Sequence, residues 1–150
     1  MKQLFEKQTA DEFIARINKL TPQTPAQWGK MNVAQMLAHA QVALKTANGT
    51  LKPESSPLLS FVFGKYFKKK ILGPGGFAKN SPTFKEAVIK DEKIFENEKS
   101  NLIALLESFQ KKGKETFTHG RHPFFGNMSP EDWNTLQVKH LDHHLSQFGV

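Results

Sequence analysis

The chain contains no cysteine, which excludes a disulfide framework, a thiolate nucleophile and any Cys-ligated zinc or iron–sulfur site. Any metal it holds must sit on His, carboxylate or water. Long apolar runs are also missing. The longest apolar cluster, residues 58–63, is broken by Ser60 and closed by Gly64, far short of the ~20 residues a membrane-spanning helix needs. The opening residues, MKQLFEKQTADEF, mix both charge signs and never form the apolar stretch of an export signal. A cytoplasmic protein with no membrane span is therefore expected. Acidic residues are in deficit, 14 against 21 Lys and Arg, for a formal charge of +7 over 150 residues. That length suits a single domain, 1–150, able to bury one core without staples.

The basic excess is concentrated. Residues 52–79 hold six Lys and one acid, Glu54, and so carry five of the seven net positive charges. Within 58–79 Lys is interleaved with aromatics, as in FVFGKYFKKK. Such a segment suits an anionic partner, whether phosphate-bearing or a membrane surface. It equally suits a short amphipathic helix that buries Phe and solvates Lys. Charge runs usually mark solvated faces, so nucleic acid is not the expected partner, and a non-catalytic binding module is the alternative function.

Thr9 with Glu12 three residues on reads as a capping box, and Phe13, Ile14, Ile17 and Leu20 recur at helical spacing before Pro22. A loop over 21–30 leads to a second helix capped by Asn32 with Gln35, presenting Val33, Met36, Leu37, Ala40, Leu44 and Ala47, and ended by Asn48-Gly49. Residues 50–82, rich in Pro and Gly, predict a long crossover with one short helix at 58–70. A third principal helix is predicted over 91–112, with Ile94, Phe95, Leu102, Leu105, Leu106 and Phe109 on its stripe and Gly113 as the stop. The fourth opens at Ser129, with Pro130 in the first helical position and Asp132 three after the cap, and runs to about Gln147. No strand alternation is evident in the irregular GRHPFFGNM stretch before it. The expected fold is an all-α four-helix bundle whose long crossover carries an additional short helix.

Three of six His fall in the fourth helix. His140 and His144, four apart, share a face with Trp133 and Gln137; His143 offers a competing spacing. His39 lies at the edge of the second helix's apolar stripe and should point partly inward. A lone His there is usually a hydrogen-bonded core residue. Buried unpaired imidazoles are costly, however, whereas three converging neutral rings around a divalent cation satisfy one another's lone pairs. His39, His140 and His144 are thus the candidate metal ligands. Zinc, nickel and iron(II) all suit imidazole, and a three-ligand site leaves a position open for substrate or water. Asp142 lies on another face, although a Gln or carboxylate could orient a ring from behind.

The sequence resembles the DinB/YfiT-like superfamily of metal-binding four-helix bundles. The resemblance rests on Trp28-Gly29-Lys30-Met31-Asn32, on Gln35-Met36-Leu37-Ala38-His39, and on His140-Leu141-Asp142-His143-His144 followed by Gln147. The ending, with His122-Pro123-Phe124-Phe125-Gly126 and Trp133, looks like one branch of that superfamily. The resemblance implies a divalent metal on His39, His140 and His144, and a small-molecule substrate. It also implies a low-molecular-weight thiol such as bacillithiol or mycothiol, used in S-transfer or isomerisation, and a homodimer. The basic, Gly-rich insertion departs from the short connections of a minimal bundle.

His122, before Pro123 in the Phe-rich loop, reads either as a proton carrier or substrate contact, or as a loop His that bonds backbone and seats Phe124 and Phe125. Trp28 and Trp133 read as core or pocket-wall aromatics. With His122 they form the candidate substrate-contact set. His119 is expected to be exposed.

Overall fold

A computed structural model describes residues 2–54, 57–117 and 120–150, with 57–63 as helix backbone only. The apolar cluster 58–63 and His119 lie outside the residues described with side chains. Five helices dominate: α1 (Lys7–Asn18), α2 (Val33–Ala47), α3 (Pro57–Leu72), α4 (Phe95–Lys112) and α5 (Pro130–Gln147). The all-α expectation holds. Among the described residues no helix is long and apolar enough to cross a membrane.

Helix α1 buries Thr9, Ala10, Phe13 and Ile17. Its start differs from the Thr9–Glu12 box: Glu6 is the N-cap, with no side-chain capping bond. The arm before it is anchored from α5. The Leu4 N–H donates to Asn134 Oδ1 at 2.8 Å and Asn134 Nδ2 to the Lys2 carbonyl at 2.9 Å, so the chain enters the helix early. Thr9 is then buried in the first turn, where it cannot cap.

Helix α2 begins as expected. The Gln35 N–H donates to Asn32 Oδ1 at 2.9 Å and the Asn32 N–H to Gln35 Oε1 at 3.0 Å, satisfying amides that a helix start leaves open. The same Gln35 shifts the next helix. Its Nε2 donates to the Asp91 carbonyl at 3.2 Å, tethering that stretch beside the start of α2. Helix α4 therefore begins at Phe95 and not at 91; Ile94 is an extended N-cap, 67% exposed. Leu102, Leu106 and Phe109 are fully buried as the stripe requires.

Helix α5 has the Ser129–Asp132 capping box and Pro130 in its first turn. The stretch before it is not merely irregular. Arg121–His122 (β1) pairs antiparallel with Gly126–Asn127 (β2), a two-residue ladder too short to leave an alternation pattern.

Helix α1 packs on α4 and α5, and α2 packs on the same two, which closes a ring of four helices. One apolar cluster fills it, drawing Ile17, Leu37, Leu44, Leu102, Phe109 and Leu141 from all four. Helix α3 lies outside, against α5 and β2. A Cβ on Gly64 would stand 2.8 Å from the Phe124 carbonyl oxygen, so the glycine permits that approach. Lys139 fastens the other end, donating to the Ile71 and Leu72 carbonyls at 3.0 and 3.1 Å and also to that of Gly73.

Candidate metal centre

Helix α2 contributes His39 and helix α5 contributes His140 and His144. One ring nitrogen from each lies within 4.8 Å of the other two. His39 and His144 are buried, at 6% and 8% exposure; His140 is partly exposed as a residue, with its Nδ1 shielded from solvent. His39 Nε2 and His140 Nε2 are 3.0 Å apart. His143 is outside this group. It stands edge-on to Trp28, with ring centroids 5.7 Å apart.

The surrounding bonds determine which nitrogens face inward. His39 Nδ1 lies 2.7 Å from the Ala87 carbonyl, which can only accept, so Nδ1 carries the proton and Nε2 keeps its lone pair. Gln147 Nε2 donates to the Trp28 carbonyl at 2.7 Å, which fixes the amide and turns Oε1 toward His144 Nδ1, 2.9 Å away. His144 therefore donates through Nδ1 as well. Two of the three rings are held from behind in the tautomer a metal ligand needs, one by a carbonyl and one by a side-chain oxygen.

The donor set fits a divalent cation. Two imidazole nitrogens at ~2.0–2.1 Å from a tetrahedral zinc stand about 3.3 Å apart, within a few tenths of an ångström of the 3.0 Å between His39 and His140. The third ring carries a further sign. Among the described residues, His140 Nδ1 and Gln137 Oε1 are the buried side-chain polar atoms without a hydrogen-bond partner. They belong to residues three apart on α5. A cation on His140 Nε2 would place the ring proton on Nδ1.

Burial governs the charge of the cluster. It pushes the His39 imidazole below its usual value, against the opposing bond to Ala87. It pushes His140 well below, helped by His144, His39, His143 and His122. His144 falls to about 3, through burial and then His39, against the bond to Gln147. All three rings are neutral near pH 7, the state that binds metal.

Other expected site residues divide between two cavities. A mouth of about 490 Å³ contains His39, His140, His143 and His144, with Trp28 on its wall. His122 and Trp133 line a second cavity, of about 250 Å³, which His140 also borders. The local role of His122 is visible: its Nδ1 accepts from the Phe124 and Phe125 N–H groups at 3.0 and 3.2 Å, and its ring stacks on Phe125 at 4.1 Å. Asp142 is exposed and bonded by Arg16 at 2.8 Å, away from the cluster. Sequence reasoning missed the Ala87 carbonyl, since a backbone acceptor in a 3₁₀ turn (Lys85–Ala87) leaves no residue-type signal. Gln137 was visible as a polar residue on the inward face of α5.

A family model described as "Protein of unknown function (DUF1569)" matches residues 2–149. The chain belongs to this family. No curated protein and no solved structure matches it, so the site of this DUF1569 chain is read from its own residues.

Two substitutions test the support behind His144. Gln147→Leu removes the acceptor of its Nδ1 proton and is expected to weaken zinc binding by about 10- to 100-fold, read by competition with a chromophoric chelator. Gly29 has φ +83°, and a Cβ there would stand 2.6 Å from Gln147 Nε2. Gly29→Ala should therefore push Gln147 off the Trp28 carbonyl and weaken zinc in the same direction. Unchanged affinity in both variants would remove Gln147 from the site.

Proposed function

We propose that the protein is a divalent-metal-dependent enzyme acting on a small molecule, of the DinB/YfiT-like kind. The observation that carries this is the convergence of three neutral imidazoles, two anchored through Nδ1, on a solvent-reaching mouth. His39, His140 and His144 would hold the ion. Bound there, a divalent cation supplies Lewis acidity that keeps a thiol ionised or acidifies water at neutral pH.

The chain's own residues orient and select. Three His ligands would leave a coordination position open, the pattern of catalytic and not structural zinc. Lys30 and Lys90 line that mouth and Lys79 Nζ sits 4.4 Å over the Trp28 ring. No carboxylate lines it among the described residues. This favours an anionic substrate or an acidic thiol such as bacillithiol, through local attraction. Phe77 packs on both His140 and His143, with centroids 5.4 and 5.7 Å away, and shields the rings from bulk water.

The test is consumption of a low-molecular-weight thiol in the presence of a small electrophile by zinc-reconstituted protein. Turnover with bacillithiol or mycothiol, absent in His140→Ala, is the expected result. Equal rates in the two proteins would overturn thiol-dependent transfer at this site.

The second reading, a binding module, draws on α3, where Tyr66 and Phe67 are 66% and 40% exposed beside exposed Lys65, Lys69 and Lys70. Lys68 is already committed, paired with Asp132 at 2.6 Å. Micromolar affinity for duplex or single-stranded DNA with a steep salt dependence would favour this reading.

A further inference from the structure

The cavity behind His140 is unlike the mouth. It lies between α2, the α3 end, the crossover, the β1–β2 loop and α5, and rings make up much of its wall: Phe67, Phe77, Phe84, Phe124, Phe125 and Trp133. Phe84 meets Phe124 edge-on at 6.1 Å, and it meets His122 in the same manner at the same distance. Rings arranged this way offer both edges and faces to a further ring. The volume, about 250 Å³, exceeds the roughly 150 Å³ of an engineered apolar cavity that stays dry and takes up benzene. Among the described residues no carboxylate lines it.

The cavity is also connected to the candidate metal centre. His140 and Phe77 belong to the walls of both this cavity and the mouth, together with the crossover residues Ser81, Pro82 and Thr83. A molecule lying across His140 would keep one end at the imidazole cluster and the other among the rings.

We propose that this cavity is a receptor for an aromatic group of one to two rings, and that it selects small molecules bearing such a group at the end remote from the three His. The cavity assignment stands without a metal; only the orientation toward the His cluster rests on the metal-enzyme reading. An aromatic guest exchanges water contact for ring contact at every wall, at a gain roughly proportional to the apolar area covered. A charged group entering the same space would lose its water to a wall in which Lys70 is the one charged side chain among the described residues.

The two tryptophans allow a direct test, because Trp133 lines the rear cavity and Trp28 the mouth. Indole is titrated into ¹⁵N-labelled protein, and the two side-chain Nε1–H signals are followed. A saturable shift of the Trp133 signal, with that of Trp28 moved far less, is expected. Ala78→Leu, on the exposed crossover, and Ala43→Leu, on α2, both fill the cavity, and each should weaken indole by at least 10-fold. Ala78 is exposed, so that variant keeps the test valid if Ala43→Leu fails to fold. An unmoved Trp133 signal, or indole affinity unchanged in Ala78→Leu, would overturn the proposal. Zinc content is measured on the same samples. Full zinc occupancy without the Trp133 shift overturns the cavity alone, and the shift without zinc occupancy overturns the metal reading alone.

Discussion

Metal-free protein is expected to lose stability as the pH falls from about 6.5 to 5, about 2 kcal/mol through His144 and more through His39 and His140, against the 5–15 kcal/mol of an ordinary domain. The cause is the buried His cluster. In the unfolded chain a His protonates near its ordinary value of 6.5, while in the folded protein burial holds His39, His140 and His144 below it, His144 at about 3. The unfolded state therefore takes up more protons as the pH drops. Stability that is complete above pH 6.5 declines from there down toward the folded values, at about 1.4 kcal/mol per pH unit for each ring that stays neutral. The pH 5 endpoint isolates the imidazoles. For Asp132 burial acts upward but is outweighed by bonds from Lys68 and Ser129, so its value is lowered from 3.8; its contribution is lost only in more acidic solution. Urea unfolding in the presence of a chelator at the two pH values measures the difference. A flat profile would mean that the three rings are open to water.

Zinc at about 100 times its dissociation constant should stabilise the native protein by about 2.7 kcal/mol at neutral pH. For a domain of 150 residues that corresponds to a rise in Tm of roughly 5–11 °C. The two anchored rings make the effect specific. His39 and His144 already hold their protons on Nδ1 through Ala87 and Gln147, so binding requires little reorganisation of either. His140→Ala should reduce the rise to about 2 °C or less, because the remaining pair lacks the third ligand. An equal rise in wild type and variant would place the zinc elsewhere.

Much of this arrangement was legible in the sequence, for physical reasons that differ by element. The starts of α2 and α5 were readable because the capping boxes at Asn32–Gln35 and Ser129–Asp132 are local: donor and acceptor lie within one turn. The pairing of His140 with His144 followed from helical periodicity alone. What failed was set by distant parts of the chain. Helix α1 starts before Thr9 because Asn134 holds the N-terminal arm, and α4 starts at Phe95 because Gln35 holds the Asp91 carbonyl. The apolar character of Ile94 suggested a core position, yet its exposed place at the cap depends on that tether. The anchors of the candidate site divide the same way. Gln147, three residues after His144, could be suspected from its spacing, whereas Ala87 reaches His39 from a 3₁₀ turn 48 residues away. The two-cavity layout around His140 had no sequence signature, since its walls come from segments far apart in the chain.

Elemental analysis tests the three-His centre most directly. Tag-free wild type, His140→Ala and His122→Ala are purified without added metal, reconstituted with zinc and freed of excess. His122 serves as the control because its Nδ1 is committed to the Phe124 and Phe125 amides and it lies outside the His group. About one zinc per chain in wild type and His122→Ala, with about a tenth or less in His140→Ala, is the expected result. Zinc retained at full stoichiometry in His140→Ala, or absent from reconstituted wild type, would contradict it.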